Sequence, residues 1–257
     1  MYEAMYMAAT GIYSQQRRLD VIADNISNVN TGGFKTTRLD FKDALYTAGY
    51  FPAPAYSPEG NQQKGHGVLP AQINKDFNDG QLSVTENELD FAISGDAFFQ
   101  VTDHTGRTLY TRAGNFYASL EDAGNYLVNA QGYYVQSRGG GRIQIPDGAD
   151  SVSVDNSGAL TFTVGEAEYH DAFGLYSFTN RTGLASTGGA NYEVTVASGE
   201  PQQATDYSIR QGVLEMSNVR LDREMTLMIR SQRAFQLASR ALTTADQMEG
   251  IANNMRR

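Results

Sequence analysis

The stretch MYEAMYMAATGIYSQQRRLDVIADNISNVN, residues 1–30, sets Met5, Ala9, Ile12, Gln16, Leu19, Ala23 and Ile26 at alternating steps of four and three. That is a 3.5-residue period, the seam of a coiled-coil helix. Tyr2, Tyr6 and Tyr13 widen the apolar stripe on one side. Asn28-Val29-Asn30-Thr31-Gly32-Gly33 ends the helix, because Asn and Gly tolerate the left-handed backbone of a C-cap.

The far end answers it. Leu221, Met225, Met228, Phe235, Ala238, Leu242, Ala245, Met248, Ala252 and Met255 recur at helical spacing, with Ser217 or Asn218 as N-cap. Between the helices the period falls to two. Strands are expected at 109–112, 126–128, 133–135, 151–154, 160–164 and 192–196. Turns at Asp103-His104-Thr105-Gly106, Glu121-Asp122-Ala123-Gly124 and Asp155-Asn156-Ser157-Gly158 each end in Gly, as hairpins with a positive-φ residue require. Pro52, Pro54, Pro58, Gly60, Gly65 and Gly67 mark residues 48–69 as an extended or mobile connection.

The expected fold class is α+β. N- and C-terminal helices form a coiled-coil pair, and a central, mostly antiparallel β-domain lies between them. The expected divisions are an assembly helix at 1–30, a connection at 31–70, an outer β-domain at 71–210 and a second assembly helix at 211–257.

Charge follows the same division. The chain of 257 residues carries a net charge of −9, and residues 46–210 hold eight basic against nineteen acidic side chains. Nucleic acid is a poor partner for such a chain. There is no Cys, hence no disulfide and no thiolate chemistry. No stretch of about 18 apolar residues is present to span a membrane, and the N-terminus lacks the basic and apolar regions of a cleaved export signal.

Catalytic and metal motifs are sparse. His66, His104 and His170 are scattered, and Asp147-Gly148-Ala149-Asp150 lacks the spacing of a calcium loop. Neither a phosphate-binding loop nor a nucleophile elbow occurs. The expectation is a protein that is not an enzyme, with no cofactor and no metal.

An amphipathic helix on its own is marginal in water. Two wide apolar seams therefore point to association between copies, the small residues Ala4, Ala8 and Gly11 allowing close approach. An ordinary α+β domain, its helices packed on its own sheet, fits the pattern equally well. A binding module for carbohydrate or cell wall, using Tyr110, Phe116, Tyr133 and Tyr134, is a second reading.

Longer motifs favour assembly. Leu19 to Lys35, LDVIADNISNVNTGGFK, resembles the N-terminal signature of flagellar rod and hook proteins. Asp90 to Phe99, DFAISGDAFF, and Tyr110 to Phe116, YTRAGNF, resemble that family's β-domain entry and turn. Gly212 to Val219, GVLEMSNV, followed by Met225 to Phe235, MTLMIRSQRAF, is similar to its C-terminal signature. The match spans nearly the whole chain. It is nearest the distal type of flagellar basal-body rod protein, with the proximal type close behind and a hook-type axial subunit as the alternative.

The resemblance implies a structural subunit polymerising into a helical tube that transmits torque and carries the export channel. Its place would be the flagellar basal body, reached by type III export without a cleaved signal. Implied partners are copies of itself, other rod and hook proteins, the export apparatus, and ring or bushing proteins or cell wall. The assembly interface is expected at Met5, Ala9, Ile12, Leu19, Ala23, Asn25, Ile26, Asn28 and Asn30, with Leu221, Met225, Met228, Arg233, Phe235 and Leu242 opposite.

Overall fold

A computed structural model describes residues 2–45, 47–50, 61–121 and 124–255. The chain is α+β, with a helix at each end and a largely antiparallel set of strands between them. It divides into two compact units.

The first unit takes the described residues of 1–27, 37–74 and 220–257. Its frame is the helix α1, Tyr2–Ser27, beside the helix α2, Leu221–Met255. Strand Thr37–Asp43 pairs with strand Val68–Lys75, and the Ser14 hydroxyl of α1 donates to the Val68 carbonyl at 3.0 Å. Residues 37–45 and 65–74 thus lie packed beside the helices. Thr47–Tyr50 pairs with Asn61–Lys64. Pro52, Pro54, Pro58 and Gly60 of the expected connection lie outside the described residues, as do Asp122 and Ala123 of one expected turn.

The second unit takes residues 28–36 and the described residues of 75–219. A ten-stranded sheet and a three-stranded sheet close over one apolar core. Phe91, Phe99, Phe116 and Phe173 meet there with ring centroids 5.1–6.1 Å apart, in the edge-on and tilted geometries that aromatic quadrupoles prefer. Phe77, Phe98, Tyr110, Phe178 and Tyr192 form a second cluster.

The expected strands at 109–112, 126–128, 133–135, 151–154 and 160–164 are all present within a residue or two of their bounds. The strand expected at 192–196 ends at Glu193. Thr195 instead closes a turn, taking the Ser198 amide on its carbonyl, and Val196 is fully exposed at its tip. Gly106 and Gly158 sit at φ +84° and +80° and close the two expected hairpins onto Asp103 and Asp155. The Gly139-Gly140-Gly141 run is a hairpin tip, closed by the Ser137 amide on the Gly141 carbonyl.

Candidate assembly surface

Each terminal helix presents two faces. On α2 the inner face runs Glu224, Met228, Ser231, Phe235, Ala238, Leu242 and Ala245, at steps of four and three. All seven are buried or half-buried. On α1 the inner face runs Met7, Gly11, Ser14, Arg18, Ile22 and Asn25, with Ser14, Ile22 and Asn25 buried.

Asn25 explains why α1 turns that way. Its side chain accepts the Thr37 amide at 2.9 Å and donates to the Thr37 carbonyl at 2.8 Å, as a strand neighbour would. It also donates to the Glu224 carboxylate at 3.3 Å. A buried amide with all these partners fixes both the strand and α2 against α1. Asn25 lies within the helix, two residues before its end at Ser27. Asn28 does build the turn, its carbonyl taking the Thr31 amide and its side chain the Thr31 hydroxyl. Asn30 is exposed.

The expected seam on α1 is therefore rotated from the buried one by roughly one residue, about 100°. Met5, Ile12, Leu19 and Ile26 are half-buried at its border, whereas Ala9 and Ala23 face solvent. A count of apolar positions alone passes over Ser14 and Asn25, which are polar and sit at the centre of the contact.

The expected C-terminal seam merges two faces. Met228, Phe235 and Leu242 lie on the inner one. Leu221, three residues before Glu224, continues the inner steps, whereas Met225, Met248 and Met255 lie on an outer stripe with Ile229, Leu237 and Ile251; all seven are exposed. Arg233 stands on the same exposed side. Tyr6 and Tyr13 are the exposed apolar bulk of α1. Helix α2 begins at Leu221, and the Glu224 amide closes its first turn onto the Arg220 carbonyl at 3.0 Å, so neither Ser217 nor Asn218 is the N-cap.

In the second unit, three of the sequence motifs meet. Lys35, Arg112 and Glu215 are nearly without solvent access. The Glu215 carboxylate accepts from Lys35 Nζ at 2.6 Å, the Gly80 amide at 2.9 Å and Arg112 Nε at 3.2 Å. Arg112 uses its remaining nitrogens on the Gly95 and Ala97 carbonyls and on Asp79. Burial pushes the Lys35 ammonium below its ordinary value, the attraction of Glu215 working against that shift.

Asn218 completes the junction. Its carbonyl oxygen accepts the Thr36 amide and hydroxyl, and its amide donates to the Asp76 and Asn78 carbonyls. Gly33, at φ +68°, lies so close to Arg112 and Ala113 that a Cβ would meet the Ala113 nitrogen at 2.5 Å. Sequence reasoning missed Glu215 as the hub. Its one signal is a carboxylate inside the apolar strand Val213–Glu215.

The aromatics offered as a binding face do not form one. Tyr110, Phe116 and Tyr134 are buried, the first two in the clusters already described. Among the described residues, no helix is long and apolar enough to cross a membrane.

Three family descriptions match along the chain: "Flagella basal body rod protein" over residues 5–35, "Flagellar hook protein FlgE/F/G D1 domain" over 92–162, and "Flagellar basal body rod FlgEFG protein C-terminal" over 210–255. The flagellar basal-body rod protein FlgG of Borreliella burgdorferi is 36% identical, with 100% of both chains covered. FlgG of Bacillus subtilis is 35% identical, again over 100% of each. The flagellar hook-basal body complex protein FlhP of Bacillus subtilis is 28% identical over the same full extent.

Proposed function

Because the chain belongs to the flagellar basal-body rod protein family and is a structural subunit of that rod, we propose that it polymerises through the outer faces of α1 and α2. The observation that carries this is the outer stripe of α2. Six large apolar side chains off the inner face of a 35-residue helix are exposed in the single chain. Exposed patches of that extent mark interaction surfaces.

Magnitude favours assembly over a lone helix pair. Covering roughly 500–1,000 Å² per helix, at about 25 cal/mol per Å², gains on the order of 10–25 kcal/mol before association and ordering costs. The contact is heterologous, one surface meeting a different one, and it winds into a helix instead of closing. Residues 1–30 and 211–257 are then the assembly elements, and 71–210 the outer domain. The resulting tube transmits torque and carries the export channel. Its subunits arrive through the flagellar export apparatus without a cleaved signal, and its axial neighbours are other rod and hook proteins. The place of assembly is the flagellar basal body.

The test is Leu237→Asp. Leu237 is 65% exposed on the outer stripe, so the change spares the inner pair. The expected result is an unchanged circular dichroism spectrum with no incorporation into basal bodies and no motility. Normal incorporation of both Leu237→Asp and Ile229→Asp would overturn the reading.

A further inference from the structure

The chain has no Cys, so all of its sulfur is methionine, and the fold sorts those sulfurs into two environments. Met225, Met248 and Met255 are 50%, 60% and 79% exposed on the outer stripe of α2. Met228, three residues from Met225, is half-buried on the inner face of the same helix. Met5, Met7 and Met216 are half-buried as well.

That division matters because a thioether takes oxygen from a peroxide when the oxidant reaches its sulfur. The sulfur lone pair attacks one peroxide oxygen, the O–O bond breaks, an S–O bond forms, and water leaves with the two electrons the sulfur has given up. The product, a sulfoxide, is polar and accepts hydrogen bonds where the thioether was apolar. On a wet helix face the new oxygen is hydrated and costs the single chain little. Inside an apolar contact it is buried without a donor, or it keeps the contact from closing. Its neighbours along the stripe offer no donor: Ile229 lies four residues from Met225, and Ile251 three from Met248 and four from Met255, one helical turn away in each case. Leu would fill a similar volume at each position, but its polarity cannot change after folding.

We propose that Met225, Met248 and Met255 are oxidation sites of the unassembled chain. Sulfoxide at these positions keeps a subunit out of the rod, and assembly shields the same sulfurs from oxidant. This rests on the polymerisation proposed above and adds redox control to its surface. The oxidant is hydrogen peroxide or another two-electron oxygen donor. A sulfoxide reductase reverses the step, two thiols becoming a disulfide as the sulfoxide oxygen leaves in water.

Purified full-length protein and isolated basal bodies are treated with the same dose of hydrogen peroxide and mapped by peptide mass spectrometry. In the purified protein, Met225, Met248 and Met255 are expected to gain oxygen before Met228 and Met216. In basal bodies the three are expected to lose that lead. Equal rates at Met225 and Met228 in the purified protein would overturn the sites, and an undiminished lead in basal bodies would overturn the shielding. The block on assembly is read in cells carrying a variant as the sole copy. Met225→Gln with Met248→Gln sets a polar group where each sulfoxide would stand, and is expected to abolish incorporation and motility with an unchanged circular dichroism spectrum. Met225→Leu with Met248→Leu is expected to build rods and to swim. Motile cells with the Gln pair, or no rods with the Leu pair, would overturn the block. Polymerisation through the outer stripe is judged separately by Leu237→Asp, which leaves every methionine in place.

Discussion

Replacing Glu215 with Gln keeps the side chain's shape and removes its charge. Lys35 and Arg112 are then left as two cations around one neutral amide, with 1% and 3% of their side chains exposed. Breaking a buried ion pair from one side costs about 3–5 kcal/mol, because the surviving charge stays desolvated. Glu215→Gln is therefore expected to lose about that much. Lys35→Met removes one cation and leaves Glu215 with Arg112 and the Gly80 amide, for an expected loss of about 2 kcal/mol. In the double variant Arg112 still has Asp79 at 2.7 Å and two carbonyls. The combined loss should then fall short of additivity by at least about 1 kcal/mol, since the residues share partners. Urea unfolding followed by tyrosine fluorescence measures all three, read as midpoint shifts at constant slope. A loss below about 1 kcal/mol for Glu215→Gln, or losses additive within about 0.5 kcal/mol, would refute the view that this carboxylate is the hub.

Two further outcomes follow from the second unit. Gly33→Ala forces a side chain into φ +68° against the Ala113 nitrogen, so it should lower stability by about 2–3 kcal/mol, visible in the same urea midpoint. Burial pushes the Tyr110 hydroxyl up to about 12, and raises that of Tyr192 as well. Their folded values lie above the unfolded value of 10, so this stabilisation is complete below pH 10 and disappears as pH rises through about 12. The protein should unfold in that alkaline window with tyrosinate absorbance rising in step, and Tyr110→Phe should move the midpoint upward. Gradual tyrosine titration without unfolding would contradict the burial argument.

The terminal helices, the hairpins at Gly106 and Gly158 and the α+β class could be read from local periodicity and glycine placement. Those features depend on neighbours a few residues away. The family was legible too, because its motifs are contiguous in the chain. The strands Thr37–Asp43 and Val68–Lys75 escaped notice, since their burial follows the pairing and α1 more than any strict alternation. Which face of α1 turns inward was equally hidden. Asn25 decides it by bonding Thr37 and Glu224, one of them 199 residues distant. Glu215 and Lys35 are 180 residues apart, and nothing in either local sequence announces the other. A helical period follows from backbone geometry and the chain order of side chains. The choice between two apolar faces, and the pairing of buried charges, depends on desolvation, which exists only once distant segments have closed around them.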